Sequence, residues 1–175
     1  VSDIPLMGFA AWSGTGKTTL LVNLLGIFTA RGLRVGVVKH AHHTFEIDYP
    51  GKDSYELRKA GASQVLIGSR KRWALLVEHQ DEDDKPRDKP LEYHIRHLDL
   101  EHLDLILVEG FKPEAIPKIE LHRPSLGHDL LYPGDESIIA VATDAELSVA
   151  TDLPLLNLND PQQIAQFIID RYSLT

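Results

Sequence analysis

Residues 8–21 read GFAAWSGTGKTTLL. The spacing matches a phosphate-binding loop, G-x-x-x-x-G-K-[ST], at every position but the first, where Ala11 stands in place of glycine. In such a loop successive backbone N–H groups and a helix N-terminus point at phosphate oxygens, and glycines let the backbone approach without a Cβ in the way. Gly14 and Gly16 supply that freedom, Lys17 has the reach for the β- and γ-phosphates, and the Thr18 hydroxyl suits Mg²⁺. Ala11 adds one methyl group at a strand end, which is tolerable where the backbone needs no positive φ.

The flanking residues place the loop. Ile4–Ala11 is a short apolar run, and beyond Lys17 the residues Leu20, Leu21, Leu24, Leu25 and Phe28 recur at helical spacing up to Gly32. Strand, loop and helix therefore follow one another. A second strand is expected over Leu33–His40, and a helix over Asp53–Ala62 with Asp53 or Ser54 as its cap and Gly61 as its stop. Ser63–Ser69 and Arg72–His79 read as two strands joined by the turn RKR. Glu78–Glu92, charged and carrying two prolines, reads as an exposed connection. Leu91, Ile95 and Leu98 mark another helix, and further strands are expected over Leu103–Phe111, Lys118–His122, Ser137–Thr143 and Leu153–Leu158. The last helix opens on Asp160 as cap, with Pro161 in the first position and Gln163 three residues after the cap. Alternating strands and helices imply an α/β fold of the phosphate-loop nucleotide-hydrolase kind: a mostly parallel sheet with helices on both faces, plus a β-hairpin, in one domain over residues 1–175.

Bulk properties narrow the function. A formal charge of −8 argues against general nucleic-acid binding, which needs a basic excess. No apolar run approaches the roughly 18 residues of a membrane span, and residues 1–12 lack the basic-then-apolar pattern of an export signal. Cysteine is absent, which excludes disulfides and thiolate metal sites and suits the cytoplasm. Any bound anion must be held by a local site.

Phosphoryl chemistry also asks for an acidic group beside the loop, and Glu109, closing the apolar run LILV before Gly110, fits a metal or water-positioning role. Lys39, His40, His42 and His43 follow the second strand and should emerge at the same carboxyl edge, where open parallel sheets bind ligands. They suit an anion, and Asp48 suits the metal shell. The H-x-H-H spacing fits no specific zinc pattern.

Taken together, AAWSGTGKTTL, KHAHH, the stretch Asp48–Ala62 with its PGKDS, RWALL, LDLILVEGFK and IIAVATD resemble the MobB family of molybdopterin-guanine dinucleotide biosynthesis proteins across nearly the whole chain. Alanine at the first loop position is that family's own version of the motif. The resemblance implies a GTP- and Mg²⁺-binding adaptor, at most a slow GTPase, that assists the guanylyltransferase joining GMP to molybdopterin. It further implies a homodimer, for which the hairpin at residues 63–79 is the candidate contact. By position it assigns Ser13, Gly14, Thr15, Gly16, Lys17, Thr18 and Thr19 to the phosphates and metal, sets Glu109 opposite them, and gives Lys39, His40 and Asp48 to the pterin phosphate or a partner. The base-reading sequence N-K-x-D is absent; Asp144 and the pair Asn157 and Asp160 remain as alternatives for reading guanine. Two rival readings share the loop: a small-molecule kinase or ligase like dethiobiotin synthetase, and a metal-delivery GTPase using His40, His42 and His43.

Overall fold

The computed structural model describes residues 4–41, 45–78 and 88–175. The chain divides into two compact units, Val1–His40 with Lys89–Thr175, and Ala41–Asp88.

The larger unit is built on six strands: β1 (Leu6–Ala11), β2 (Val35–Lys39), β5 (Leu105–Glu109), β6 (Lys118–His122), β7 (Ile138–Thr143) and β8 (Leu155–Asn157). They stand in the order β2-β5-β1-β6-β7-β8, and every pair is parallel. Helix α1 (Lys17–Ala30) and helix α4 (Pro161–Tyr172) cover one face. Met7, Phe9, Leu107, Ile119 and Leu121 point toward them and meet Leu20, Leu24, Phe28, Ile164 and Ile168 in an apolar core. The short helix α3 (Leu91–Ile95) covers part of the other face, with Leu91 and Ile95 on Val38, Ile106 and Val108. It ends at Ile95, one turn before the Leu98 that the apolar spacing included. Among the described residues no helix is long and apolar enough to cross a membrane.

On that second face β6 presents Lys118, Glu120 and His122, all buried. Burial of charge is tolerable only when each group is paired and hydrogen-bonded. The Lys118 ammonium donates to the Lys112 carbonyl at 3.0 Å, Asp135 at 2.9 Å and the Ser137 hydroxyl at 2.7 Å. Burial alone pushes the Asp135 carboxyl upward, but hydrogen bonds from Ser137 and Lys118 outweigh it and hold the group below the usual carboxylate range. The Glu120 carboxylate, fully buried, accepts the N–H groups of Leu131 and Tyr132, each at 2.8 Å. These charges fasten residues 123–137 across the sheet.

Helix α4 begins as expected: the Asp160 carboxylate accepts the N–H groups of Gln162 and Gln163, each at 3.1 Å. Gln163 does not reach back to the cap, since its side-chain oxygen takes the Asn157 N–H at 2.6 Å.

The smaller unit holds helix α2 (Asp53–Lys59) and the antiparallel pair β3 (Gln64–Gly68) and β4 (Trp73–Val77). Lys52 is the N-cap of α2 and makes no side-chain cap bond, so Asp53 acts from inside the first turn rather than as the cap. Ser69 closes the RKR turn, its hydroxyl accepting the N–H groups of Lys71 and Arg72. Arg58 is the hub of this unit: it pairs with Asp48 at 2.7 Å, Glu78 at 2.8 Å and Glu46. Three carboxylates around one guanidinium hold the Arg58 pKa above its ordinary value, led by the hydrogen bonds that Arg58 donates to Glu78 and Asp48.

Candidate functional site

Because all six strands of the larger sheet run parallel, their carboxyl ends share one edge, and the sequence-predicted residues of that unit gather there. β1 leads into Trp12–Gly16, where Gly14 and Gly16 adopt φ +82° and +97°, a region that Cβ-bearing residues avoid. The space over Gly14 is open: nothing stands within 4 Å of where a Cβ would sit. Gly16 is the N-cap of α1, with no side-chain cap and no acidic residue in the first turn. The positive end of the helix dipole and its first N–H groups are thus left for an anion.

Inside the loop the Thr15 hydroxyl, buried, donates to the Trp12 carbonyl at 2.8 Å, so Thr15 braces the turn and has only its backbone to offer a phosphate. Ser13, Thr18 and Thr19 are exposed. The Trp12 indole N–H donates to the Asp129 carbonyl at 2.8 Å, and its ring stacks on His128 at 5.3 Å. The loop is thereby tied to the segment that Glu120 anchors.

Glu109 stands at the end of β5, between the ends of β1 and β2. Its carboxylate faces Lys17 at 3.7 Å and Lys39 at 3.2 Å, with side-chain exposure of only 13 %. The next residue has to be glycine. Gly110 adopts φ +97°, and a Cβ there would lie 3.1 Å from the His40 Cβ and 3.3 Å from its carbonyl oxygen. That close approach accompanies the bond from the His40 N–H to the Glu109 carbonyl at 2.8 Å. The His40 ring meets Phe111 edge-on at 5.2 Å.

On the opposite side of the loop a concavity of about 400 Å³ is bounded by Gly14, Thr15, Thr19, Asn23, Arg123 and Asn159. Arg123, directly after β6, was not among the expected site residues. Its Nε donates to the Thr15 carbonyl at 2.9 Å, one terminal nitrogen pairs with Asp144, and the other reaches Asn159 at 3.4 Å. Arg123 follows a strand in which charged and apolar residues alternate, so no apolar run closes on it as LILV closes on Glu109. Of the base-reading candidates, Asp160 is committed to capping α4, and the Asn157 side chain accepts the Asn159 N–H at 2.9 Å. Asp144 borders the loop through Arg123.

Asp48 belongs to the smaller unit, buried against Arg58; its Oδ2 is buried with no hydrogen-bond partner among the described residues. His42 and His43 lie outside the described residues, as do Asp81–Asp84. Among the described residues no three His, Cys, Asp or Glu side chains gather as a metal cage. Mg²⁺ bound with a nucleotide needs none: it takes one or two hard oxygen donors besides phosphates and water, and Thr18 and Glu109 are of that chemistry.

Residues 6–144 match the family model described as "Molybdopterin guanine dinucleotide synthesis protein B". The chain belongs to this family. Two curated MobB relatives are named molybdopterin-guanine dinucleotide biosynthesis adapter protein. The one from Escherichia coli is 49 % identical over 170 residues, covering 95 % of this chain and 93 % of that protein. The one from Haemophilus influenzae is 44 % identical over 167 residues, covering 95 % and 89 %. A crystal structure of molybdopterin-guanine biosynthesis protein B superposes with a TM-score of 0.67 at 25 % identity, over 95 % of this chain and 99 % of the other. The fold is accordingly that of MobB and of phosphate-loop nucleotide hydrolases.

Proposed function

We propose that this MobB-family chain is an adaptor in molybdopterin guanine dinucleotide biosynthesis that holds GTP with Mg²⁺ at the carboxyl edge of the parallel sheet. The observation that carries the reading is the junction of β1 and α1, an uncapped helix N-terminus behind two left-handed glycines, with Lys17 turned toward Glu109. Lys17 and the loop N–H groups bind the phosphates, and Lys39, on the far side of Glu109, adds a second positive charge. Thr18 and Glu109 hold the metal, which when bound neutralises phosphate charge. Glu109 paired with two lysines waits as an anion whose cationic partners also suit a triphosphate. Asp144 reads guanine N1 and N2: its pairing with Arg123 ties the carboxylate to the phosphate loop and leaves it acceptor capacity for the base, whereas Asp160 caps α4 and the Asn157 side chain takes the Asn159 N–H. The family membership and the adapter names of its relatives support the pathway. Hydrolysis by the chain alone is slow, and the location is cytoplasmic.

The adaptor works as a homodimer through its smaller unit. There Leu66, Ile67, Trp73 and Leu75 of the hairpin are exposed, and α2 buries no residue. A two-stranded sheet with open edges is marginal by itself, and a second copy offers the matching apolar surface. The test is reconstitution: with a molybdopterin guanylyltransferase, molybdopterin and Mg·GTP, adding the chain should raise the rate of dinucleotide formation, and Lys17→Ala should not. Stimulation undiminished in Lys17→Ala would refute the reading, as would brisk GTP turnover by the chain alone.

A further inference from the structure

We infer that Arg123 is the positioning residue that joins the base end of the nucleotide site to its phosphate end, and so sets guanine over adenine. The inference rests on the guanine-nucleotide reading above and deepens it. The guanidinium spends its three nitrogens on three different chain segments: Nε on the Thr15 carbonyl inside the phosphate loop, one terminal nitrogen on Asp144 after β7, the other on Asn159 after β8. Since Arg123 itself follows β6, one side chain links four consecutive strand ends of the sheet. It also packs against the loop where Gly16 leaves room, a terminal nitrogen standing 3.8 Å from the place of the missing Cβ.

The chemistry asks for arginine. A planar fork with donors in fixed directions can satisfy a carbonyl, a carboxylate and an amide oxygen at once, whereas an ammonium offers one nitrogen. The consequence is twofold. The Asp144 carboxylate, which would otherwise add negative charge beside a polyphosphate, is neutralised and oriented. And Asp144 is fixed relative to the loop, so a base seated against it and a phosphate seated on the loop register with each other. Discrimination between purines depends on that register, because a reader that swings freely can re-pair with water or with the wrong edge.

The test measures binding of Mg·GTP, Mg·ATP and inorganic tripolyphosphate to the unmodified chain, Arg123→Lys and Arg123→Gln. Tripolyphosphate reports the phosphate loop without a base and confirms that each variant is folded there. Arg123→Lys, which keeps the positive charge, should hold its tripolyphosphate affinity within about threefold while its GTP-to-ATP affinity ratio falls by about tenfold or more; Arg123→Gln should lose the ratio as well and, with Asp144 no longer neutralised, should also bind tripolyphosphate more weakly. Arg123→Lys combined with Asp144→Asn should discriminate little worse than Asp144→Asn alone, since Arg123 acts through Asp144. An undiminished GTP-to-ATP ratio in Arg123→Lys would overturn the inference, as would a loss for tripolyphosphate equal to that for GTP. Failure of the underlying reading shows separately, as an absence of GTP preference in the unmodified chain.

Discussion

Replacing Glu120 by glutamine should cost far more than its near-identical shape suggests. The carboxylate is fully buried and its two oxygens accept different backbone N–H groups, Leu131 and Tyr132, both at 2.8 Å. Hydrogen bonds to a charged acceptor contribute about 1.5–3 kcal/mol each. Glutamine keeps one oxygen, now neutral, and turns an amide N–H₂ toward the second N–H donor. One bond is lost, the other is roughly halved, and a buried donor goes unpaired, which together amount to about 2–4 kcal/mol. For a chain of this size each kcal/mol moves the unfolding midpoint by about 2–4 °C, so Tm should fall by about 4–16 °C in a thermal scan read by circular dichroism. The damage should reach the site, because residues 123–137 carry Arg123 and the Asp129 carbonyl that takes the Trp12 indole. A Glu120→Gln variant within about 2 °C of the unmodified chain would refute the claim that this buried carboxylate fastens the segment to the sheet.

Three further outcomes follow from the same geometry. Gly110→Ala should destabilise by about 1–2 kcal/mol for the left-handed backbone, plus the crowding at His40, whereas Gly127→Ala, with φ +70° and nothing nearby, should show the backbone part alone; urea midpoints of the two compared directly separate the contributions, and equal losses would show that the His40 contact is immaterial. Asp104 is held down to about 2, first by the Arg34 side chain and then by the Arg34 N–H. Its folded pKa lies below the unfolded one, so its contribution is complete above about pH 4 and fades as pH falls toward about 2; Asp104→Asn should therefore be less stable than the unmodified chain at neutral pH and converge with it in acid, and a gap independent of pH would contradict this. Trp73, on the hairpin, is exposed; the proposed dimer predicts that the unmodified chain should sediment as a dimer and Trp73→Glu as a monomer, and identical sedimentation of the two would contradict the hairpin contact.

The phosphate loop, the parallel sheet and the hairpin were legible because each rests on local signals: glycine spacing, apolar runs of strand length, and a polar turn between two such runs. Asp160 and Pro161 announced α4 for the same reason, since a cap acts within one turn. Residues whose role depends on distant segments were not. Lys118, Glu120 and His122 alternate with Ile119 and Leu121, a pattern that ordinarily marks a solvated strand face; here they are buried because residues 123–137 fold back over them. Arg123 carries no periodic signal and gains its role only when β1, β6, β7 and β8 end side by side. Gln163 had the spacing of a capping partner, yet the Asn157 N–H, brought close by β8, takes its oxygen instead. Sequence distance hid these contacts, and topology created them.

On the proposed reading, the β1–α1 junction holds a guanine nucleotide through Lys17 and its loop. The most direct measurement is a calorimetric titration of the unmodified chain and Lys17→Ala with GTP and ATP in the presence of Mg²⁺. GTP should bind more tightly than ATP, and Lys17→Ala should weaken GTP binding by at least about tenfold, since a charge-assisted phosphate contact contributes about 1.5–3 kcal/mol. Equal affinity for the two nucleotides would contradict the guanine assignment, and unchanged affinity in Lys17→Ala would contradict the site itself.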